Sequence, residues 1–386
     1  MKEKEFVTKQ NFKENIYSIL KEKKSVAIFA PTLSGKTTFL YYLKEDLEKK
    51  DYDVVFIAFE EIFSLPAFNV VLEKNIAKIE NKIYIEKKIN YENAIEELLK
   101  NFIKLGELSK NKPIFVFVDD FIEIEKFQRY ENKWNNLYAM LNNTFIKYQN
   151  LLFVFTINNI AGKDIFLNPK SDLYSFAEIK NLPRPPFEEC STFVQNILDE
   201  YGLKYEQNIV WLINEKSNSQ IYYLNEMLKE ILLKKIKLGF EEVTKTIVLE
   251  VAEEVYLNNK YTFELRLRVI RGKKRVLEVL HLIALKKNPF DSNEEIGISK
   301  ANLYKVLYEL ESENLIEIED KNLRLIDEEK AQKALAFIQD PEIKKYFEDV
   351  VSKVPKTKIK VDKKNKKERY VINDPFFARY IKEIKE

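Results

Sequence analysis

The sequence predicts an α/β architecture, a doubly wound parallel sheet, continued by segments that are almost wholly helical. Three observations lead there. Short apolar runs recur without polar alternation, which is how strands buried on both faces read. Helix-period segments separate them, giving connections long enough for parallel crossovers. Three prolines in "PRPP" (183–186) then end the alternation, and helical patterns follow to about 265 without further strands.

The elements follow in order. A lead-in helix is expected over 11–23, where Phe12, Ile16, Ile19 and Leu20 share a face. "VAIFA" (26–30) is the first strand, with a helix from about 36 to 49 behind it. "DVVFIAF" (53–59) is the second, followed by a long charge-rich helical stretch from about 67 to 108. "PIFVFVDD" (113–120) precedes a helix near 132–147, "LLFVFTINN" (151–159) precedes a loop, and "FAEIKNL" (176–182) is a fifth strand. Right-handed crossovers bring the strand C-termini and their loops to one edge of such a sheet. The expected units are a core over 1–182, a helical lid over 183–265, a third unit over 266–330, and a helical and basic tail over 331–386.

Composition sets bounds. A chain of 386 residues exceeds one ordinary core. A formal net charge of +2 points to no polyanion by itself, so only local clusters bear on nucleic acid. One cysteine, Cys190, excludes an internal disulfide, and with one histidine, His281, a zinc site has no ligand set. Both read as packed helix residues. No apolar run approaches a bilayer span, and the N-terminus lacks a secretory leader's apolar stretch, so a cytoplasmic protein without membrane contact is expected.

The chemistry concentrates in "APTLSGKTT" (30–38), directly after a buried strand. Backbone N–H groups of such a turn, and the helix N-terminus behind it, point at phosphate oxygens. Ala30, Pro31, Thr32, Leu33, Ser34, Gly35, Lys36, Thr37 and Thr38 are the binding residues. Gly35 permits close backbone approach, Lys36 supplies charge, and the Thr37 hydroxyl ligates Mg²⁺. The pattern G-x-x-x-x-G-K-[ST] is met except at its first position, where Ala30 stands. About 85 residues later "IFVFVDDF" ends a strand in two carboxylates. Asp119 is placed to hold the metal and Asp120 to activate water. Thr156 and Asn158, at the end of the next strand, either touch the γ-phosphate or attacking water or make ordinary strand-end hydrogen bonds. Arg184 is either a nucleotide contact at the hinge or an exposed hinge residue, and Arg129 is placed to act in trans.

Residues 270–330 read as a winged helix. Leu303, Val306, Leu307 and Leu310 make one apolar face, capped by Ser299, and two short strands surround "EDKN". Lys300, Asn302, Tyr304 and Lys305 are left outward, side chains suited to phosphates and bases. The presumed wing is acidic, whereas "RLRVIRGKKR" (266–275) and "KVPKTKIKVDKKNKKER" (353–369) are basic, so DNA and protein both remain open as partners.

In this order, "APTLSGKTT", "FVFVDD", "NLPRPPFEE", a helical lid and a winged helix resemble the archaeal-type ATPases of the STAND branch of AAA-like P-loop NTPases. "RYVINDPFFARYIKEI" (369–384) resembles the segment that follows the winged helix in many members. The resemblance implies a sheet order of 5-1-4-3-2, ATP and Mg²⁺ as ligands, and the roles above for Lys36, Thr37, Asp119 and Asp120. Ala30 replaces the usual glycine, Asp120 stands where the family often has glutamate, and "NSQIYYL" (218–224) replaces a Gly-x-Pro at a lid helix. The expectation is a switch in which ATP binds between core and lid and hydrolysis changes how the winged helix meets DNA, aided by the basic tail. The alternatives are a non-catalytic nucleotide-binding adaptor whose winged helix binds protein, and a homo-oligomeric DNA-remodelling ATPase resembling replication initiators or transposition regulators. No base-reading motif selects ATP over GTP.

Overall fold

A computed structural model describes residues 7–85, 93–124, 137–270, 272–292, 295–313, 315–318, 370–372 and 374–384. Strands β1 (Ser25–Phe29), β2 (Asp53–Ala58), β3 (Ile114–Asp119), β4 (Leu151–Ile157) and β5 (Ala177–Asn181) pair in parallel in the order β2-β3-β4-β1-β5. This is the expected order read from the other edge. The valine- and phenylalanine-rich strands β3 and β4 are buried along their whole length, as their lack of alternation predicts.

Alternate side chains feed two cores. On one face Val26, Ile28, Phe115 and Phe117 pack under α1 (Val7–Lys21) and α2 (Lys36–Lys49). On the other, Ala27, Val55, Val116, Phe153 and Phe155 pack under α3 (Leu65–Ile79), α4 (Ala94–Ser109), α5 (Leu137–Phe145) and α6 (Ile160–Leu167). The helical stretch expected over 67–108 is therefore two helices. Ser64 caps α3, its Oγ accepting from Ala67 N at 3.2 Å. The loop expected after residue 159 is largely α6, begun by Asn159, whose Oδ1 accepts from Gly162 N at 2.8 Å. Residues 125–136, Arg129 among them, lie outside the described residues.

Beyond β5 the helices α7 (Phe187–Glu200), α8 (Gln207–Ser217), α9 (Ile221–Leu238), α10 (Lys245–Leu267), α11 (Lys274–Ala284), α12 (Lys300–Ser312) and α13 (Pro375–Glu383) dominate. They are not without strands: two-residue β6 (Lys204–Tyr205) and β7 (Glu242–Val243) pair in parallel. A single hydrophobic cluster runs from Cys190 and Leu224 through Val255, Leu280 and Leu307 to Phe377 and Ile381. His281 sits beside it, its Nδ1 3.1 Å from the Ile381 carbonyl. Strand β8 (Glu317–Ile318) pairs antiparallel with β9 (Tyr370–Val371). The rest of the presumed wing and the basic run 353–369 lie outside the described residues. No described helix is long and apolar enough to cross a membrane.

Candidate functional site

The phosphate loop fills the step from β1 into α2. Ala30 is buried and its N–H donates to the Ile157 carbonyl at 3.2 Å, which ties the strand exit to β4. Its φ is not positive, so alanine meets no backbone penalty there. Leu33 and Gly35 do adopt left-handed backbone, at φ 64° and 81°. Left-handed residues separated by an ordinary one are the alternation from which anion-binding nests are built. Lys36 is buried, and its Nζ donates to the carbonyls of Ala30 at 2.9 Å and Pro31 at 3.0 Å. Burial lowers its pKa, opposed by the carboxylates of Asp120, Asp119 and Glu60.

A second ammonium reaches the loop from α1. A Cβ placed on Gly35 would lie 3.0 Å from Lys9 Nζ, and Lys9 is itself buried. Nothing local in the sequence marks Lys9; only its place on the helix leading into β1 does. Glu60, just beyond β2, is likewise brought in by topology, since Ala58 opposes Asp119 in the sheet register.

The carboxylates sit at the same edge. Val118 opposes Phe155, which sets Asp119 beside Thr156. Thr37 Oγ1 donates to Asp119 Oδ2 and Thr156 Oγ1 to Asp119 Oδ1, both at 2.6 Å. The Asp120 N–H donates back to Thr156 Oγ1 at 2.8 Å. Thr156 is fully buried and its hydroxyl is engaged by the Asp119 carboxylate and the Asp120 N–H, so it ties β4 to both residues. Asp120 has φ 51° and a pKa pushed up to about 6 by burial, against the pull of Lys36 and with the push of Asp119, Glu60 and Glu123. Asn158 Oδ1 is buried without a hydrogen-bond partner. Rotating the amide would put a donor in its place, suited to a phosphate oxygen.

The donor set fits Mg²⁺. A threonine hydroxyl and one carboxylate are hard oxygen ligands, and the described residues hold no cluster of three or more acidic, histidine or cysteine side chains. Magnesium is usually held this way, by one or two protein ligands with waters and phosphates completing its shell.

A narrow cleft opens beside the loop. Pro31, Thr32 and Ser34 form one wall, and Pro183, Arg184 and Pro185 the hinge side. Ser219, Gln220 and Ile221 reach it from the start of α9, so "NSQIYYL" lines the cleft without a Gly-x-Pro. Arg266, Leu315, Ile316, Ile372 and Asp374 close it from the C-terminal part. The Asp374 carboxylate accepts from Tyr223 OH at 2.8 Å, Arg266 Nη1 at 2.7 Å and the Phe377 N–H at 2.9 Å. Thr8 binds the Glu189 carboxylate through N–H and hydroxyl, joining α1 to α7. Thr38 continues the loop as the third residue of α2. Lys300, Asn302, Tyr304 and Lys305 lie exposed on α12, with Leu303, Leu307 and Leu310 buried on its other side. They are remote in sequence from the loop, and α12 packs on α6.

No protein-family model and no curated protein matches the sequence. Solved structures do match. The Walker-type ATPase PABY2304 of Pyrococcus abyssi superposes with TM-score 0.66 at 16% identity, over 97% of this chain and 95% of that one. The Aeropyrum pernix ORC2 protein, in ADPNP-ADP complexes, gives TM-score 0.56 at 14% identity, over 81% of this chain and 87% of that one. The Aeropyrum pernix ORC1 protein in complex with DNA gives 0.50 at 12%, over 83% and 87%. At these identities the likeness is one of fold. The chain has the P-loop NTPase fold, a five-stranded parallel sheet followed by a mostly helical remainder.

Proposed function

We propose that the chain binds ATP and Mg²⁺ at this edge, hydrolyses the nucleotide, and passes the nucleotide state to the C-terminal part, which presents α12 to DNA. The observation that carries the reading is the convergence of Lys36, Thr37, Asp119 and Asp120 beside a cleft walled by loop, lid and C-terminal residues. The fold shared with a Walker-type ATPase and with ORC proteins in ADPNP-ADP and DNA complexes supports it.

In this mechanism Lys36 exchanges the Ala30 and Pro31 carbonyls for β- and γ-phosphate oxygens, and Lys9 adds charge at Gly35. Thr37 and Asp119 would hold Mg²⁺, which would neutralise phosphate charge there. Asp120 takes a proton from water while the water oxygen forms a bond to the γ-phosphorus. The β–γ bridging bond breaks with its electron pair leaving on ADP. Thr156 fixes both acids, and the Asn158 amide donates to a terminal oxygen. Exposed Lys300, Asn302, Tyr304 and Lys305 contact DNA phosphates and bases.

A titration with labelled ATP and Mg²⁺, with phosphate release measured in parallel, tests the site. Lys36→Ala should abolish both signals; equal signals from wild type and variant would sink the reading. GTP in the same assay decides the base. A second reading, binding without turnover, is favoured by the short Asp120 side chain. Binding with background phosphate release, with and without DNA, would select it.

A further inference from the structure

We propose that Leu33 is a positioning residue of the phosphate loop, holding the loop in its anion-binding shape through an anchor in the lid and C-terminal core. The inference rests on the nucleotide-binding reading above. Leu33 is the one aliphatic residue with positive φ among the described residues. A left-handed backbone sets Cβ against the following carbonyl, so an L side chain stays there only when something holds it. Glycine takes that conformation freely, yet this loop has leucine at the position.

The holding force is visible. Leu33 packs against the hydrophobic cluster built from α7–α13, not against either core of the sheet. Its neighbours Thr32 and Ser34 line the cleft together with Ile221, Leu315 and Ile316. Leu315 and Ile316 are each 2% exposed, so the cluster offers a packed seat. At the other end the loop is fixed by Lys36 on the Ala30 and Pro31 carbonyls. The nest is thus formed before any phosphate arrives, with apolar packing offsetting the backbone cost. Phosphate affinity then depends on residues almost at the opposite end of the chain.

The experiment is a titration of the full chain with ATP and Mg²⁺, wild type against Leu33→Gly, Leu33→Ala and Leu33→Val, with thermal melts of each. Glycine needs no anchor, so Leu33→Gly binds within about threefold of wild type. Alanine loses the anchor but keeps the backbone cost, so Leu33→Ala binds roughly tenfold more weakly. Valine, β-branched and most averse to left-handed backbone, is weaker again. If Leu33 only filled space in the cluster, the order would reverse, with valine mildest and glycine worst. That order, or equal affinity in all four proteins, overturns the proposal. A cycle with Ile316→Ala checks the anchor itself: this change weakens binding when residue 33 is leucine and not when it is glycine. If wild type and Lys36→Ala bind nucleotide equally, the reading of the site fails instead, a result separable from failure of the Leu33 order.

Discussion

At the scale of single residues, Asp120 is caught between burial and charge. Burial disfavours the carboxylate more than Lys36 favours it, and the acidic neighbours add to the rise. Its folded pKa of about 6 exceeds the ordinary 3.8, so the folded protein binds the proton more tightly than the unfolded chain. The group's stabilising effect is complete below pH 3.8 and is lost as pH rises through about 6. In the proposed mechanism function runs the other way, because only an ionised Asp120 can take a proton from water. The ratio kcat/KM should therefore fall with one proton as pH drops through about 6, read from phosphate release at nucleotide far below KM. Asp120→Asn should lower turnover by about 100-fold or more while nucleotide affinity stays near wild type. The same variant should melt higher than wild type at pH 8, the buried charge being gone, with little difference at pH 4. A variant that keeps its turnover would remove Asp120 from the mechanism.

At the scale of elements, α13 is held by its first residues. One Asp374 carboxylate caps the helix through the Phe377 N–H, pairs with Arg266 of α10 and accepts from Tyr223 of α9. The central guanidinium carbon of Arg266 lies over the Phe377 ring, 3.9 Å from its centroid. Removing the acid strands the buried Tyr223 hydroxyl and an N-terminal donor together and takes an ion pair from Arg266. Asp374→Ala should cost about 3 kcal/mol in urea unfolding. Asp374→Asn should recover only the cap's part, about 1 kcal/mol. A silent alanine variant would show that the three bonds do not act together. The same elements show what sequence carries. The strands, α2 and the Gly35-Lys36-Thr37 turn were legible because their signals are local: unbroken apolar runs and a fixed-spacing motif. Helix α6 was not, since Gly162 weakens a short helix whose best cue is the Asn159 cap. The β8–β9 pair joins segments some fifty residues apart, a pairing no periodicity reports. Lys9, Glu60 and the Leu33 anchor escaped for the same reason, being brought in by topology.

At the scale of the whole molecule, two cores flank the sheet and a third is shared by α7–α13. Among the described residues the cores meet at Leu33 in the cluster, Thr8 on Glu189, α6 against α12, and the cleft itself. With hydrophobic cores of their own, the sheet part and the helical part should unfold in separable steps without ligand. In the proposed mode a nucleotide in the cleft would touch walls contributed by both parts, and its binding energy would be lost when either one opens. ATP and Mg²⁺ at about 100 times the dissociation constant add about 2.7 kcal/mol to whatever must be intact for binding. Both calorimetric transitions should therefore rise and draw together. Lys36→Ala should leave both where they are. A rise confined to the sheet part's transition would mean that the C-terminal wall is not part of the bound state, and the proposed passage of nucleotide state toward α12 would have no physical route.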